Sequence, residues 1–182
     1  MSTEFKEFPK IARLSREVIV TEKIDGTNAS IFIGEDGEFL VGSRTRWITP
    51  EADNFGFAAW AHAHRDELLM LGVGHHFGEW WGSGIQRGYN LPKGEKRFSL
   101  FNVTRWDTED RPGCCHVVPT LYRGLFDTAI VSHCLTELES KGSQAAPGFM
   151  KPEGVVVYHA AAGIGFKKTI DKDEEPKSKW MK

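Results

Sequence analysis

No stretch of about 18 or more uncharged apolar residues occurs in the 182-residue chain, so no membrane-spanning helix is expected. The amino terminus, MSTEFKEFPK, lacks the basic-then-apolar layout of a secretory signal. Cysteine is scarce: Cys114, Cys115 and Cys134 are too few and too odd in number for a disulfide framework, and they suit a reducing compartment. The adjacent Cys114, Cys115 and His116 lack the second spaced ligand pair that structural zinc uses. Neither sign of charge dominates, with 23 basic against 25 acidic residues, so any polyanion site has to be a local cluster. Internal repeats and low-complexity blocks are absent as well. A soluble, cytoplasmic protein without membrane partners is the expectation.

What the chain does have is apolar content of 40 %, of which aromatics supply a good part at 12 % of the residues, enough for one well-buried domain over 1–170 followed by a charged tail over 171–182. REVIVTEKI, ASIFIG and FLVGSR, separated by two Asp-Gly pairs, read as a meander of three strands. A helix is expected between about Asp53 and Met70, where Phe57, Trp60, Ala61, Leu68 and Leu69 recur at roughly helical spacing. HHFGEWWGSGIQRGY and KRFSLFNVTRW resume strand composition. A second amphipathic helix follows across LFDTAIVSHCLTELESK, and PEGVVVYH with GFKKTI forms a closing hairpin. Strands dominate and two helices pack on them, an α+β arrangement.

The stretch TEKIDGTN, residues 21–28, raises the functional question. If its strand persists into the turn, Lys23 and Asp25 share a side and converge on one ligand. By itself that pattern is also a surface hairpin with charged ends. A lysine that attacks phosphorus needs companions: carboxylates for a divalent metal, further lysines for phosphates and an aromatic to stack a base. Each has a match downstream. Glu153 in EGVVV opens a buried-looking strand, where a carboxylate must pair or ligate. A hairpin turning at AAAGIG sets Val155 opposite Lys168 and brings Glu153 near Lys167 and Lys168. Phe101 in RFSLFNV offers a base platform, although an isolated phenylalanine is more often core packing. The histidines His62, His64, His75 and His76, and the tryptophans Trp80, Trp81 and Trp106, are read as ordinary core or surface residues.

With these residues assembled, the sequence resembles the covalent nucleotidyltransferase superfamily of polynucleotide ligases and capping enzymes, within it the ATP-dependent RNA ligases. EKIDGTN is similar to the nucleotidyl-lysine motif, and its Gly-Thr-Asn extension is closer to RNA ligases than to DNA ligases. FGEWWGSGIQRGY, RFSLFNV, PEGVVVY and GFKKTI resemble the later motifs, in the family's order, across residues 22–168. The resemblance implies a nucleotidyltransferase domain of largely antiparallel β-sheets with flanking helices, using ATP and Mg2+ or Mn2+ on RNA ends. It implies Lys23 as the covalent carrier of AMP, Glu153 as the metal-organising carboxylate and Lys167 as the phosphate-contacting lysine. Around the nucleotide it implies Glu22, Asp25, Gly26, Asn28, Glu79 on the ribose, Phe101 on the adenine, and Lys168, with Arg44 or Arg46 on the nucleotide or the substrate phosphate. The fifth motif departs from the family's two lysines separated by one residue, because Lys167 and Lys168 are adjacent and Thr169 holds the alternate position. Adjacent strand residues face opposite ways, so one of the two enters the site. Only about fourteen residues follow Lys168, so no separate carboxy-terminal domain is expected, and a partner protein or domain would help clamp RNA. A DNA ligase or capping-type enzyme, and a nucleotide- or RNA-binding module without catalysis, are the alternative readings.

Overall fold

The computed structural model describes residues 3–175; the end of the charged tail, 176–182, lies outside the described residues. Period-two runs rich in valine, isoleucine and aromatics form strands β1 (Glu17–Lys23), β2 (Thr27–Ile33), β3 (Phe39–Ser43), β4 (Trp47–Ile48), β5 (Gly74–Gly82), β6 (Lys96–Leu100), β7 (Cys115–Val117), β8 (Thr120–Leu125), β9 (Gly154–His159) and β10 (Ile164–Thr169). The helices are α1 (Phe57–Ala63), α2 (Arg65–Leu68), α3 (Val103–Trp106) and α4 (Thr128–Lys141). A four-stranded sheet has the order β10-β9-β1-β8 and a six-stranded sheet the order β4-β3-β2-β5-β6-β7. Only the β6–β7 ladder is parallel among these strands. The fold is α+β with largely antiparallel sheets and flanking helices, as the sequence suggested.

The three-strand meander does not form. β1 pairs with β8 and β9 in the four-stranded sheet, while β2 and β3 remain a hairpin in the other. The cause lies at Gly26, where a Cβ would stand 2.4 Å from the Trp80 carbonyl oxygen and 2.8 Å from the Trp81 Cβ. Only glycine lets the backbone pass this close to β5. The first Asp-Gly pair therefore carries the chain from one sheet to the other. The second one behaves as expected: Gly37, at φ 86°, turns β2 into β3.

The expected 53–70 helix is shorter and broken. The Asp53 carboxylate accepts from the N–H groups of Ala58 and Ala59, yet Phe55 and Gly56 take positive φ and delay the first turn to Phe57. His64, at φ −105°, then separates α1 from α2. The longer α4 follows the sequence closely, because Asp127 accepts from the Ala129 N–H at its start and Gly142 ends it at φ 83°.

Three apolar clusters order the layers. Ile31, Trp80, Phe98 and Leu100 bury one face of the six-stranded sheet against Phe57 and Ala61 of α1. Val18, Val20, Val155 and Val157 bury one face of the four-stranded sheet against Cys134 and Leu138 of α4. Between the sheets, Ile19 and Ile24 meet Trp81, Tyr89, Val103 and Phe149. Trp80, Trp81 and Trp106 are accordingly core residues. Among the described residues no helix is long and apolar enough to cross a membrane.

Candidate active site

Lys23 is the last residue of β1, and its neighbours on the same strand divide between two faces. Val18, Val20 and Glu22 point toward α4. Ile19, Thr21 and Lys23 point toward the other sheet. The Lys23 ammonium donates to Glu153 Oε2 at 2.5 Å, and the carboxylate is only 2 % exposed. This contact follows from register: Lys23 pairs with Gly154, so Glu153 arrives one residue before the β9 partner. The sequence placed Glu153 near Lys167 and Lys168 through β10; its ion-pair partner is Lys23, reached through β1.

Asp25 lies beyond the end of β1, so strand alternation does not set its direction. Its backbone N–H donates to the Tyr89 hydroxyl at 2.7 Å, and its carboxylate accepts from Arg87 Nε at 3.0 Å. Arg87 Nη1 also donates to the carbonyls of Lys151 and Pro152. One guanidinium thus ties the Asp-Gly crossover to the approach of β9. Neither Arg87 nor Tyr89 was singled out in the sequence; the only signal was their place in IQRGY, where Tyr89 sits at φ 53°.

Glu79 comes from the six-stranded sheet. It pairs with Asn28 on one side and Ser99 on the other, and its Oε1 accepts from the Gly26 N–H at 3.0 Å. Burial pushes its carboxyl up to about 7, opposed by the Lys23 charge and the Gly26 hydrogen bond and assisted by Glu153 and Asp25. Glu79, Lys23, Glu153 and Asp25 therefore form one electrostatic group drawn from both sheets. Phe101 follows β6, its N–H donating to the Phe77 carbonyl, and is 40 % exposed.

Glu22 is held by the loop after α4. Its carboxylate lies on the α4 face, where it accepts from the Ser143 hydroxyl at 2.5 Å and from the N–H groups of Gln144 and Ala145. Burial nevertheless raises its pKa. The side chain anchors the loop after α4 to the strand that carries Lys23. The paired lysines separate as adjacent strand residues must. Lys167 pairs with Val156, which pairs with Thr21, so it shares the Lys23 face; Lys168 pairs with Val155 on the α4 face and bonds Asp173 at 3.1 Å. Arg44 and Arg46 lie exposed between β3 and β4, apart from this cluster.

Among the described residues no group of three or more His, Cys, Asp or Glu is arranged to hold a metal ion. The donor set still fits magnesium or manganese shared with a substrate, since such ions commonly take one or two carboxylates and complete their shell with phosphate oxygens and water. Glu153 supplies a hard oxygen beside Lys23, and Asp25 belongs to the same electrostatic group.

The fold is shared with solved RNA ligases from Naegleria gruberi. One, a mutant with AMP and Mn, superposes with a TM-score of 0.63 at 22 % identity, covering 85 % of this chain and 49 % of that one. Another, an apo mutant, gives 0.60 at 21 % identity over 85 % of this chain and 50 % of that one. A third, with ATP and Mn, gives 0.58 at 20 % identity over 84 % and 48 %. The chain thus spans about half the length of the structures that it matches. No curated protein gives a match. The RNA ligase family matches residues 16–181, nearly the whole chain and every motif from EKIDGTN to GFKKTI, and the chain belongs to that family.

Proposed function

We propose that this chain is the nucleotidyltransferase domain of an ATP-dependent RNA ligase, with Lys23 as the covalent carrier of AMP. The observation that carries the reading is the position of Lys23: at the end of its strand, part-exposed, ion-paired to Glu153 and within the field of Glu79. In the first step the neutral Lys23 amine attacks the α-phosphorus of ATP, a P–N bond forms, the P–O bond to pyrophosphate breaks and pyrophosphate leaves. The Lys23–Glu153 pair has to part and the ammonium has to lose its proton before that attack. An RNA 5′-phosphate oxygen then takes the AMP from Lys23. Finally an RNA 3′-hydroxyl attacks the activated 5′-phosphate and AMP departs.

The reading assigns Glu153 to the metal and to the orientation of Lys23, Lys167 to the phosphates, Glu79 to the ribose and Phe101 to the adenine. Asn28 lies across from Glu79 and is assigned to the nucleotide, while Arg44 or Arg46 is assigned to the substrate phosphate. A bound magnesium or manganese would neutralise phosphate charge as it shifts toward the leaving group. Glu22, Arg87 and Tyr89 keep the Lys23 segment in place. ATP and Mn in the Naegleria gruberi structures support the choice of nucleotide and metal. The reading places the enzyme in the cytoplasm, which suits its free cysteines, and keeps a partner protein or domain as a second hold on RNA.

The test is incubation with α-labelled ATP and magnesium or manganese, followed by denaturing separation, beside Lys23→Ala. Acid-labile label on the wild type and none on the variant is the expected result. A folded wild-type protein that takes up no label with either metal overturns the reading.

A further inference from the structure

The two faces of the six-stranded sheet differ in what covers them. One is buried by α1. The other meets the four-stranded sheet near Lys23 and is open further along. Across that open part runs a single row of cross-strand partners: Trp47 pairs with Gly42, Gly42 with Ser30, and Ser30 with Phe77. Phe101 completes the row through its bond to the Phe77 carbonyl. The small residues in its middle are required, because a Cβ on Gly42 would press to 3.2 Å from the Trp47 ring and 2.5 Å from Ser30 Oγ. Trp47, Phe77 and Phe101 are 50 %, 57 % and 40 % exposed. The next row adds His75, whose ring is parallel to that of Phe77 within 7° at 5.8 Å and within 19° of Trp47 at 6.3 Å, with Phe32 at 4.5 Å.

We propose that this face, leading from beside Phe101 out to Trp47, is a stacking platform for unpaired nucleotides of an RNA end, so that the substrate class is RNA with a single-stranded terminus. The inference rests on the ligase reading above and names its substrate. Continuity supports it, since the row begins at the residue assigned to adenine and lies one row out from Asn28, Glu79 and Ser99. Chemistry supports it too. The exposed side chains of the row are flat rings, which accept any base by its π face. At the far end Arg44 and Arg46 bracket the turn into Trp47, exposed and without a salt-bridge partner among the described residues. They provide local positive charge for phosphates in a chain whose net charge is −2. The row crosses four strand spacings, about 19 Å, enough for several nucleotides leading away from Lys23.

The experiment compares the affinity of a 5′-phosphorylated single-stranded oligoribonucleotide with that of a fully paired nicked RNA duplex of the same sequence, by fluorescence anisotropy. The proteins are wild type, Trp47→Ala with Phe77→Ala, and Trp47→Tyr with Phe77→Tyr. Loss of two stacked rings should weaken single-strand binding about 30-fold, change duplex binding less than about threefold, and be largely restored in the tyrosine pair. Single-strand affinity unchanged by the alanine pair, or equal loss on both substrates, overturns the platform. Photocrosslinking of 4-thiouridine RNA to the wild-type protein needs no variant: crosslinked peptides containing Trp47 or Phe77 support the proposal, and crosslinks confined to other faces, or none, overturn it. Wild-type self-adenylylation is measured in parallel. If no label forms, the ligase reading fails while the affinity and crosslinking data still decide whether the platform binds RNA.

Discussion

Glu153 of the four-stranded sheet and Glu79 of the six-stranded sheet are both buried beside Lys23, yet their surroundings differ. Glu153 faces an ammonium at 2.5 Å. At Glu79 burial outweighs the Lys23 charge and one backbone N–H, and with two nearby negative charges it pushes the carboxyl up to about 7. The same residue type is thus a paired charge on one sheet and a desolvated acid on the other. A buried carboxylate is costly unless compensated, and compensation here comes from sequence-distant strands: Gly154 beside Lys23 in one case, Gly26 against Glu79 in the other.

Replacing each carboxylate by its amide separates the two roles. Glu153→Gln breaks the Lys23 pair and should slow lysyl-AMP formation by on the order of 1,000-fold, several kcal/mol of lost positioning and electrostatics, measured by single-turnover labelling. A loss below tenfold would mean that Glu153 does not act on Lys23. Glu79→Gln should instead change the pH dependence of stability. The raised folded pKa means that the folded state binds the proton more tightly, so wild-type stability falls as pH rises from about 4.5 to about 7 and levels off above that. The amide lacks this slope and should gain on the order of 3 kcal/mol relative to wild type at pH 8 compared with pH 4, read from urea denaturation. Parallel pH profiles for the two proteins would show that burial does not perturb Glu79.

Smaller effects test the two faces of β1 and β10. Glu22→Ala leaves the Ser143 hydroxyl and two N–H groups without their acceptor and should cost about 2 kcal/mol, visible as a lower thermal midpoint. Lys168→Ala removes a half-exposed pair with Asp173 and should cost less than about 1 kcal/mol without slowing adenylylation, whereas Lys167→Ala slows it. If the two lysine variants behave alike in single-turnover labelling, the face assignment from register is wrong.

Local signals were legible in the sequence and long-range partners were not. The AAAGIG turn placed Val155 opposite Lys168, and that pair is present. Asp127 and Gly142 mark α4 because capping depends on neighbouring residues. The order of motifs from EKIDGTN to GFKKTI likewise indicated the family. The Asp-Gly pair at 25–26 misled, since a glycine needed for close approach to Trp80 looks the same as one needed for a hairpin. Strand alternation also leaves partner choice open: β1 reads as a half-buried strand whichever sheet it joins. That choice decided the partner of Glu153, turned Glu22 toward Ser143 and left Asp25 to Arg87.

The crossover at Ile24 to Gly26 has a consequence for how the domain comes apart. The chain leaves one sheet at Lys23 and enters the other at Thr27, with Arg87 and Tyr89 fastening the span between them. Neither sheet can melt without dragging on the segment that the other holds, so unfolding should be a single cooperative transition, with calorimetric and van't Hoff enthalpies in agreement. Amide protons of β1 and β2 should then exchange only through that global event, making the segment around Lys23 the slowest-exchanging part of the molecule.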